Sequence, residues 1–368
     1  MIIGIDLTWV KPGKNGGTEF YIRNLLDGFK TLKNVNSYIL FVADNNKESF
    51  KSYLDDSRFK FSECHVNTEK LVSRVIWKNT QLYRLMKKEN IDLAFFPVYD
   101  MPLYRCNSFK IVTVIHDLQA LHYPEYFTNV EKAVLKASWK RVVKNADKVV
   151  GISNYVKNDI EEHYGTKNVV AIHNPIVVKD AFVDFQGLQE KYGIDDNEYY
   201  YTVSSLLPHK NLKTILEVIK KIVYDNIALP KKLLISGVGG KQLAEIKRYL
   251  DDYKLNDNVI LTGFISNEER NTLMKHANVF VFPSVFEGFG MPPIEAMILG
   301  SKVLTTKCTS LEEVTMDRCY YVNDAFNIDD WIGKLKEIKE KEKRTIPFPE
   351  YEVKKIAQEY LDLFDSLV

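Results

Sequence analysis

Cysteine is scarce in this chain of 368 residues. Its four thiols, Cys64, Cys106, Cys308 and Cys319, show no C-x-x-C spacing and no nearby pair of histidines. Buried free thiols in a reducing compartment are the expectation. No apolar run approaches the ~18 residues of a membrane span. The opening MIIGIDLTWV lacks the basic start and long apolar core of a secretion signal and reads as a first strand. Charge of one sign is not in excess, because 50 Lys and Arg stand against 49 Asp and Glu, and a formal net charge of +1 argues against a general nucleic-acid binder. There is no Asp-x-Asp anywhere, and the first glycine loop has no G-x-G-x-x-G, so it is not read as a dinucleotide site. These absences imply a cytoplasmic protein whose only membrane contact would be peripheral.

What is present is an alternation of short apolar runs with helical periods, over a length that suggests two domains. Ile2 to Leu7, Tyr38 to Ala43, Ile91 to Pro97, Lys110 to Ile115, Lys148 to Ile152 and Val169 to Ile172 read as strands of a first βαβ domain. Residues 176–198 are polar without a clear period and read as a linker. Tyr199 to Val203, Lys232 to Ser236, Val259 to Thr262, Val279 to Phe282 and Lys302 to Thr305 read as strands of a second domain. A weak echo between residues 146–153 and 277–284 fits two domains on one plan. The division is expected at 1–185, 186–346 and a last segment 347–368, where Val353, Ile356, Ala357, Tyr360, Leu361 and Phe364 recur at helical spacing.

The densest chemical signal is VFVFPSVFEGFGMPPIEAM, residues 279–297. It reads as a buried strand, a loop with glycines where the backbone turns or lies close to something, and a helix begun by Pro292 and Pro293. Such a helix start is a ready anion site, and Glu287 and Glu295 lie beside it. Two carboxylates there suit a polyol ligand.

EGFGMPPIEAM resembles the E-x7-E signature of glycosyltransferase family four, the retaining group 1 enzymes, and the resemblance covers nearly the whole chain. It implies the GT-B fold, α/β throughout: two Rossmann-like domains facing across a cleft, with the last helix crossing back to the first domain. It also implies a nucleotide-diphosphate sugar as donor, with Glu287 at the transferred sugar and Glu295 on the ribose. Gly288, Phe289, Gly290 and Met291 would offer backbone N–H groups to the diphosphate. Gly16 and Gly17, in the loop GGTE, would face the sugar and phosphates, and His116, after a strand in VIHDLQALHYPEYF, would hydrogen-bond the sugar. Lys210 would hold the diphosphate with help from His209, which stands where arginine is commoner. Gly237, in the loop ending at Gly240, would let backbone approach the donor, and Phe264 would mark the turn for the base. Glu287, His116 and Lys210 are the catalytic candidates.

Since Asp-x-Asp holds a metal in many other transferases, its absence implies no metal and no cofactor here. The expected partners are the nucleotide sugar, with GDP-mannose the first choice, and a glycan or lipid-linked acceptor in bacterial surface polysaccharide or O-antigen synthesis; no nucleic acid is expected. The basic stretches 68–89 and 129–146 are either solvated helix faces or a surface meeting anionic lipid. Ser153 is a helix cap or a ligand contact, and His122 is expected to be structural. A sugar-nucleotide epimerase and a non-catalytic sugar-nucleotide binder are the alternatives of other classes.

Overall fold

The computed structural model describes residues 1–239 and 243–368. Gly240 therefore lies outside the described residues. The chain divides into two units, Met1–Val177 with Glu350–Val368, and Val178–Pro349.

The first unit is built on seven strands: β1 Ile2–Asp6, β2 Ser37–Ala43, β3 Phe59–Cys64, β4 Leu93–Phe96, β5 Lys110–Ile115, β6 Lys148–Gly151 and β7 Val169–Ala171. They lie in the order β3-β2-β1-β4-β5-β6-β7, and every pairing is parallel. Parallel strands are covered by helices on both faces, which explains why Ile111, Val112, Val114 and Ile115 are all fully buried. β3 was not read from the sequence. It is an edge strand that buries Phe59, Ser62 and Cys64 while Lys60 and Glu63 stay exposed, so its apolar signal is diluted.

The second unit carries β8 Tyr199–Val203, β9 Lys232–Ser236, β10 Val259–Gly263, β11 Val279–Phe282, β12 Val303–Thr305 and β13 Tyr320–Tyr321. Their order is β10-β9-β8-β11-β12-β13, again all parallel. In each sheet the strand order reverses once, beside β1 and β4 in the first and beside β8 and β11 in the second. Open α/β sheets bind ligands at such points, outside the carboxyl ends of the strands.

The last helix, Val353–Asp365, belongs to the first unit. It packs on the helix Gly17–Thr31, where a Cβ on Gly28 would come within 2.6 Å of the Ala357 Cβ and 2.8 Å of the Val353 carbonyl oxygen. Glycine there is what lets the two helices touch. The Tyr21 and Tyr360 hydroxyls, both fully buried, hydrogen-bond at 2.6 Å, and Phe95 packs on Tyr360 and Phe364.

Three expectations need correction. The division falls at Val177/Val178 and Pro349/Glu350 rather than at 185 and 346. Residues 179–183 are already tied to the helix Asn267–His276, since Asn271 Nδ2–H donates to the Lys179 carbonyl at 2.9 Å and the Val183 N–H donates to Thr272 Oγ1 at 3.0 Å. The supposed linker also contains a helix, Phe185–Tyr192, capped by the Asp184 carboxylate and ended by left-handed Gly193. Its only buried side chain is Leu188, so no apolar period marks it. Finally, the basic helical stretch expected at 68–89 runs from Leu71 to Lys88, but its charges are not all solvated. It forms the helix Leu71–Trp77, a π turn Lys78–Leu82 and the helix Tyr83–Lys88, and Lys78 is buried. Of the cysteines, Cys64 and Cys106 are buried, while Cys308 and Cys319 are partly exposed; all four are free.

Candidate functional site

In the second unit the candidate residues gather on the loops after β8 and β11. The turn Pro208–Lys210 leads into Asn211, whose φ of 51° is held by its own side chain. Asn211 Nδ2–H donates to the Ala325 carbonyl at 2.8 Å, and its Oδ1 accepts from the Thr214 hydroxyl at 2.7 Å. Lys210 leaves this fixed turn and donates to Glu287 Oε1 at 2.7 Å, both side chains being mostly buried. The two catalytic candidates of this unit are thus brought together.

Glu287 is held in turn by its backbone. Its N–H donates to Thr309 Oγ1 at 2.9 Å, and its carbonyl accepts from the Thr309 and Ser310 hydroxyls at 3.0 and 2.9 Å. Ser310 also donates to the Phe289 carbonyl at 3.1 Å. Thr309 has a φ of 55°, which is strained for a β-branched residue and marks a loop fixed by its surroundings. Gly290, at φ 88°, caps the helix Met291–Ile298, and a Cβ there would lie 2.6 Å from Leu311. Pro292 and Pro293 carry no N–H, so the donors at this helix start come from the residues preceding them, Gly288 to Met291 among them.

Glu295, one turn into that helix, is ion-paired with Arg270 at 3.2 Å. Burial raises its pKa and the Arg270 cation opposes the shift. Gly237 has a φ of 84°, and a Cβ on it would meet the Ser204 carbonyl oxygen at 2.9 Å, so glycine lets the end of β9 approach the end of β8. Phe264 follows left-handed Gly263 and is 85% exposed.

His209 departs from expectation. Its side chain is buried, and burial together with the Lys210 charge pushes its pKa down to about 4. The ring is neutral near pH 7, so Lys210 is the cation of this turn and His209 adds no second charge.

The first unit gathers the rest. Gly16, at φ 53° and ψ −131°, a backbone that glycine alone adopts readily, precedes Gly17, where the helix Gly17–Thr31 begins. Glu19, in the first turn of that helix, is committed locally: it accepts from the Gly13 N–H at 2.8 Å and pairs with Arg23 at 2.8 Å. His116, at the end of β5, has its Nε2 2.9 Å from the Pro97 carbonyl and its ring edge-on to Tyr21 at 5.0 Å. Burial drives its pKa down to about 4. A neutral ring whose Nε2–H donates to Pro97 keeps Nδ1 as an acceptor for a hydroxyl. His116 lines a cavity of about 790 Å³ together with Trp9, Asn15, Lys78, Asp100 and Arg141.

Lys78 was the main residue that sequence reasoning missed in this unit. Its Nζ donates to Asp6 Oδ2 at 2.8 Å and to Asp100 Oδ2 at 2.7 Å, with Lys78 and Asp6 only 2% and 1% exposed. Those carboxylates raise its pKa against the opposing effect of burial. The available signal was its place four residues before Leu82, on the stripe that turns inward. Arg270, Thr309 and Ser310 were also missed, and nothing in their local sequence marks them. Ser153 accepts from the Val156 N–H at 3.1 Å as an N-cap, and Asp117 accepts from the Gln119 N–H at 3.0 Å.

The two buried histidines have a consequence for stability. Each has a folded pKa of about 4 against ~6.5 when unfolded, so the unfolded chain takes up the extra protons. Their contribution is complete above pH ~6.5 and is lost as pH falls toward 4. His116→Gln and His209→Gln should each flatten the fall of the melting temperature between pH 6.5 and 4, by about one proton in the linkage slope. Melting curves across that range check it; unchanged slopes would mean the rings are not held neutral.

Two parallel sheets, each with a polar cluster outside its switch point, and a last helix packed back on the first unit define the GT-B fold. The chain superimposes on sucrose-phosphate synthase from Thermosynechococcus elongatus with a TM-score of 0.73 at 16% identity, covering 100% of this chain and 99% of that one. Residues 15–180 match the sequence profile of Glycosyltransferase Family 4, and residues 184–352 match that of Glycosyl transferases group 1. The chain belongs to this glycosyltransferase family, and it is an enzyme of that class. Among its relatives, it is 27% identical over 261 residues to the O-antigen chain mannosyltransferase RfbU of Salmonella typhimurium, covering 70% of this chain and 67% of that protein. It is also 28% identical over 214 residues to the serotype-specific mannosyltransferase WbdA of Escherichia coli, covering 56% of this chain and only 26% of that much longer protein.

Proposed function

We propose that this enzyme moves a mannosyl group from GDP-mannose to a glycan or lipid-linked acceptor in bacterial surface polysaccharide synthesis, with retention of configuration and without a metal. The observation that carries the reading is the Lys210–Glu287 pair, 2.7 Å apart at the carboxyl edge of the second sheet and beside the helix that carries Glu295. The relatives named as mannosyltransferases support the choice of sugar.

The carboxylate of Glu287 holds Lys210 until a diphosphate competes for the cation, and then faces the anomeric carbon as positive charge grows there. The bond from that carbon to the diphosphate oxygen breaks, the acceptor hydroxyl attacks from the same face, and its proton passes to the departing phosphate. Lys210 and the N–H groups around Gly290 stabilise the charge on the leaving group. His116 Nδ1 accepts from a sugar hydroxyl, and Glu295 from the ribose.

On the acceptor side, Arg74 and Arg141 line the cavity, and their positive charge suits an anionic group. Leu71, Val72, Val75 and Ile76 are exposed beside Lys70 and Arg74. Contiguous exposed apolar surface of this kind marks interaction sites. It supports a peripheral contact with anionic lipid at the cytoplasmic face and an acceptor carried on lipid. No helix among the described residues is long and apolar enough to cross a membrane.

A thermal-shift panel of GDP, UDP, dTDP and ADP with their sugar conjugates, run in EDTA and again in magnesium, tests the donor. A ligand bound only by the folded state raises the melting temperature according to its affinity. GDP and GDP-mannose should give the largest shift, equal in EDTA and in magnesium. A larger shift with another nucleotide would replace the donor, and a shift that needs magnesium would overturn the metal-free reading.

A further inference from the structure

Behind His116 the chain forms the short helix Gln119–His122, which meets the helix Asn154–Tyr164. At that meeting His122 Nε2 lies 2.9 Å from both carboxylate oxygens of Asp159, and His163 Nδ1 lies 3.1 Å from Asp159 Oδ1. Asp159 and His163 stand one helical turn apart and so share a face. The three side chains form a group whose ligand atoms all lie within 4.8 Å of one another. None of them takes part in the transfer chemistry above.

We propose that His122, Asp159 and His163 form a binding site for a divalent transition-metal ion of the zinc class. A tetrahedral ion with bonds of ~2.0–2.1 Å holds neighbouring ligand atoms about 3.3 Å apart. The His–Asp separations of 2.9 and 3.1 Å need only small movements to admit an ion, and the two ring nitrogens, within 4.8 Å of each other, must draw to about 3.3 Å as well. Two imidazoles and one carboxylate suit zinc, cobalt, nickel or copper and do not suit magnesium or calcium. Asp159 is 5% exposed and anchors the site, while His122 and His163 are 30% and 35% exposed, leaving a fourth position open to water.

Binding balances without a redox step. His163 Nδ1 now faces the Asp159 carbonyl at 3.0 Å as well as the carboxylate. Each neutral ring moves its proton to the other nitrogen, His122 to Nδ1 and His163 to Nε2, and presents a lone pair to the ion; a protonated ring releases its proton to solvent. The ion then clasps the segment after His116 to the helix Asn154–Tyr164. It is a structural clasp, separate from the Lys210–Glu287 pair, so this inference does not depend on the reaction assigned above.

The test uses the full chain, stripped with EDTA. Zinc titrated by calorimetry should bind at one ion per chain, and cobalt(II) should show the strong visible bands of a tetrahedral site. His122→Gln and His163→Gln should each weaken zinc at least tenfold and abolish those bands, with far-UV circular dichroism unchanged. The cobalt spectrum of the unaltered chain tests the site without any substitution. No saturable binding, no tetrahedral bands, or an affinity the same in both variants would overturn the proposal and leave the three side chains a hydrogen-bonded contact only. The stripped protein should still respond to the nucleotide, so failure here is distinguishable from failure of the donor assignment.

Discussion

Glu287→Gln is expected to lower kcat by about 10²–10³-fold, the size of loss seen when one preorganised group at a developing charge is removed. The amide keeps the shape of the side chain but removes the negative charge that the proposed mechanism sets against the anomeric carbon. The loop should keep its place, because Thr309 and Ser310 hold the backbone of Glu287 and not its carboxylate. Nucleotide affinity should change only a few-fold and in the direction of tighter binding, since Lys210 loses the partner that, on the proposed mechanism, it leaves to meet a diphosphate. Steady-state kinetics with the donor and acceptor, beside a thermal shift with the nucleotide alone, separate the two effects. An unchanged kcat would remove Glu287 from the chemistry.

The largest effect on stability is expected from Lys78→Met. The substitution leaves the buried Asp6 carboxylate, and the Asp100 carboxylate beside it, without their shared cation. Removing one partner of a buried ion pair costs about 3–5 kcal/mol, because the remaining charge keeps its desolvation penalty. Asp6 also accepts from the Thr8 N–H at 3.0 Å and its hydroxyl at 2.6 Å, so the loop that leads to Gly16 should loosen together with the loop at Asp100. Denaturant unfolding measures the loss. The double variant Asp6→Asn, Lys78→Met should recover part of it, because the uncompensated buried charge is then gone. A loss below ~1 kcal/mol in the single variant would place Lys78 among ordinary surface pairs.

The fold was legible because strands buried on both faces carry unbroken apolar runs. Lys110–Ile115, Tyr199–Val203, Lys232–Ser236 and Val279–Phe282 were delimited correctly from those runs alone. Phe59–Cys64 and Tyr320–Tyr321 were not, because an edge strand exposes half its residues and a strand of two residues has no pattern to read. The glycines were legible for a related reason. Gly16, Gly237 and Gly290 occupy left-handed backbone, and a residue type chosen for conformation leaves its mark locally.

Within the candidate site the division is similar. Glu287, Glu295 and Lys210 stood out because the short strings around them resemble the family's motifs. That Lys210 reaches Glu287 rather than solvent follows from two loops 77 residues apart meeting outside one sheet. His209 was legible as a histidine beside a lysine, but its neutrality was not, since a pKa depends on burial that only packing decides.

The sequence by itself determined the alternation of strand and helix, the turns that require glycine and the chemical kinds of side chain at the ends of the strands. Those properties reside in short stretches of chain, through backbone geometry and hydrophobic period. The tertiary structure alone decided which charges became buried partners. Lys78 finds Asp6 and Asp100, Arg270 finds Glu295, and His122 finds Asp159 across 37 residues. Such pairings arise when distant strands and helices are brought side by side, and the free energy of a charge depends on the neighbours that then exclude water from it.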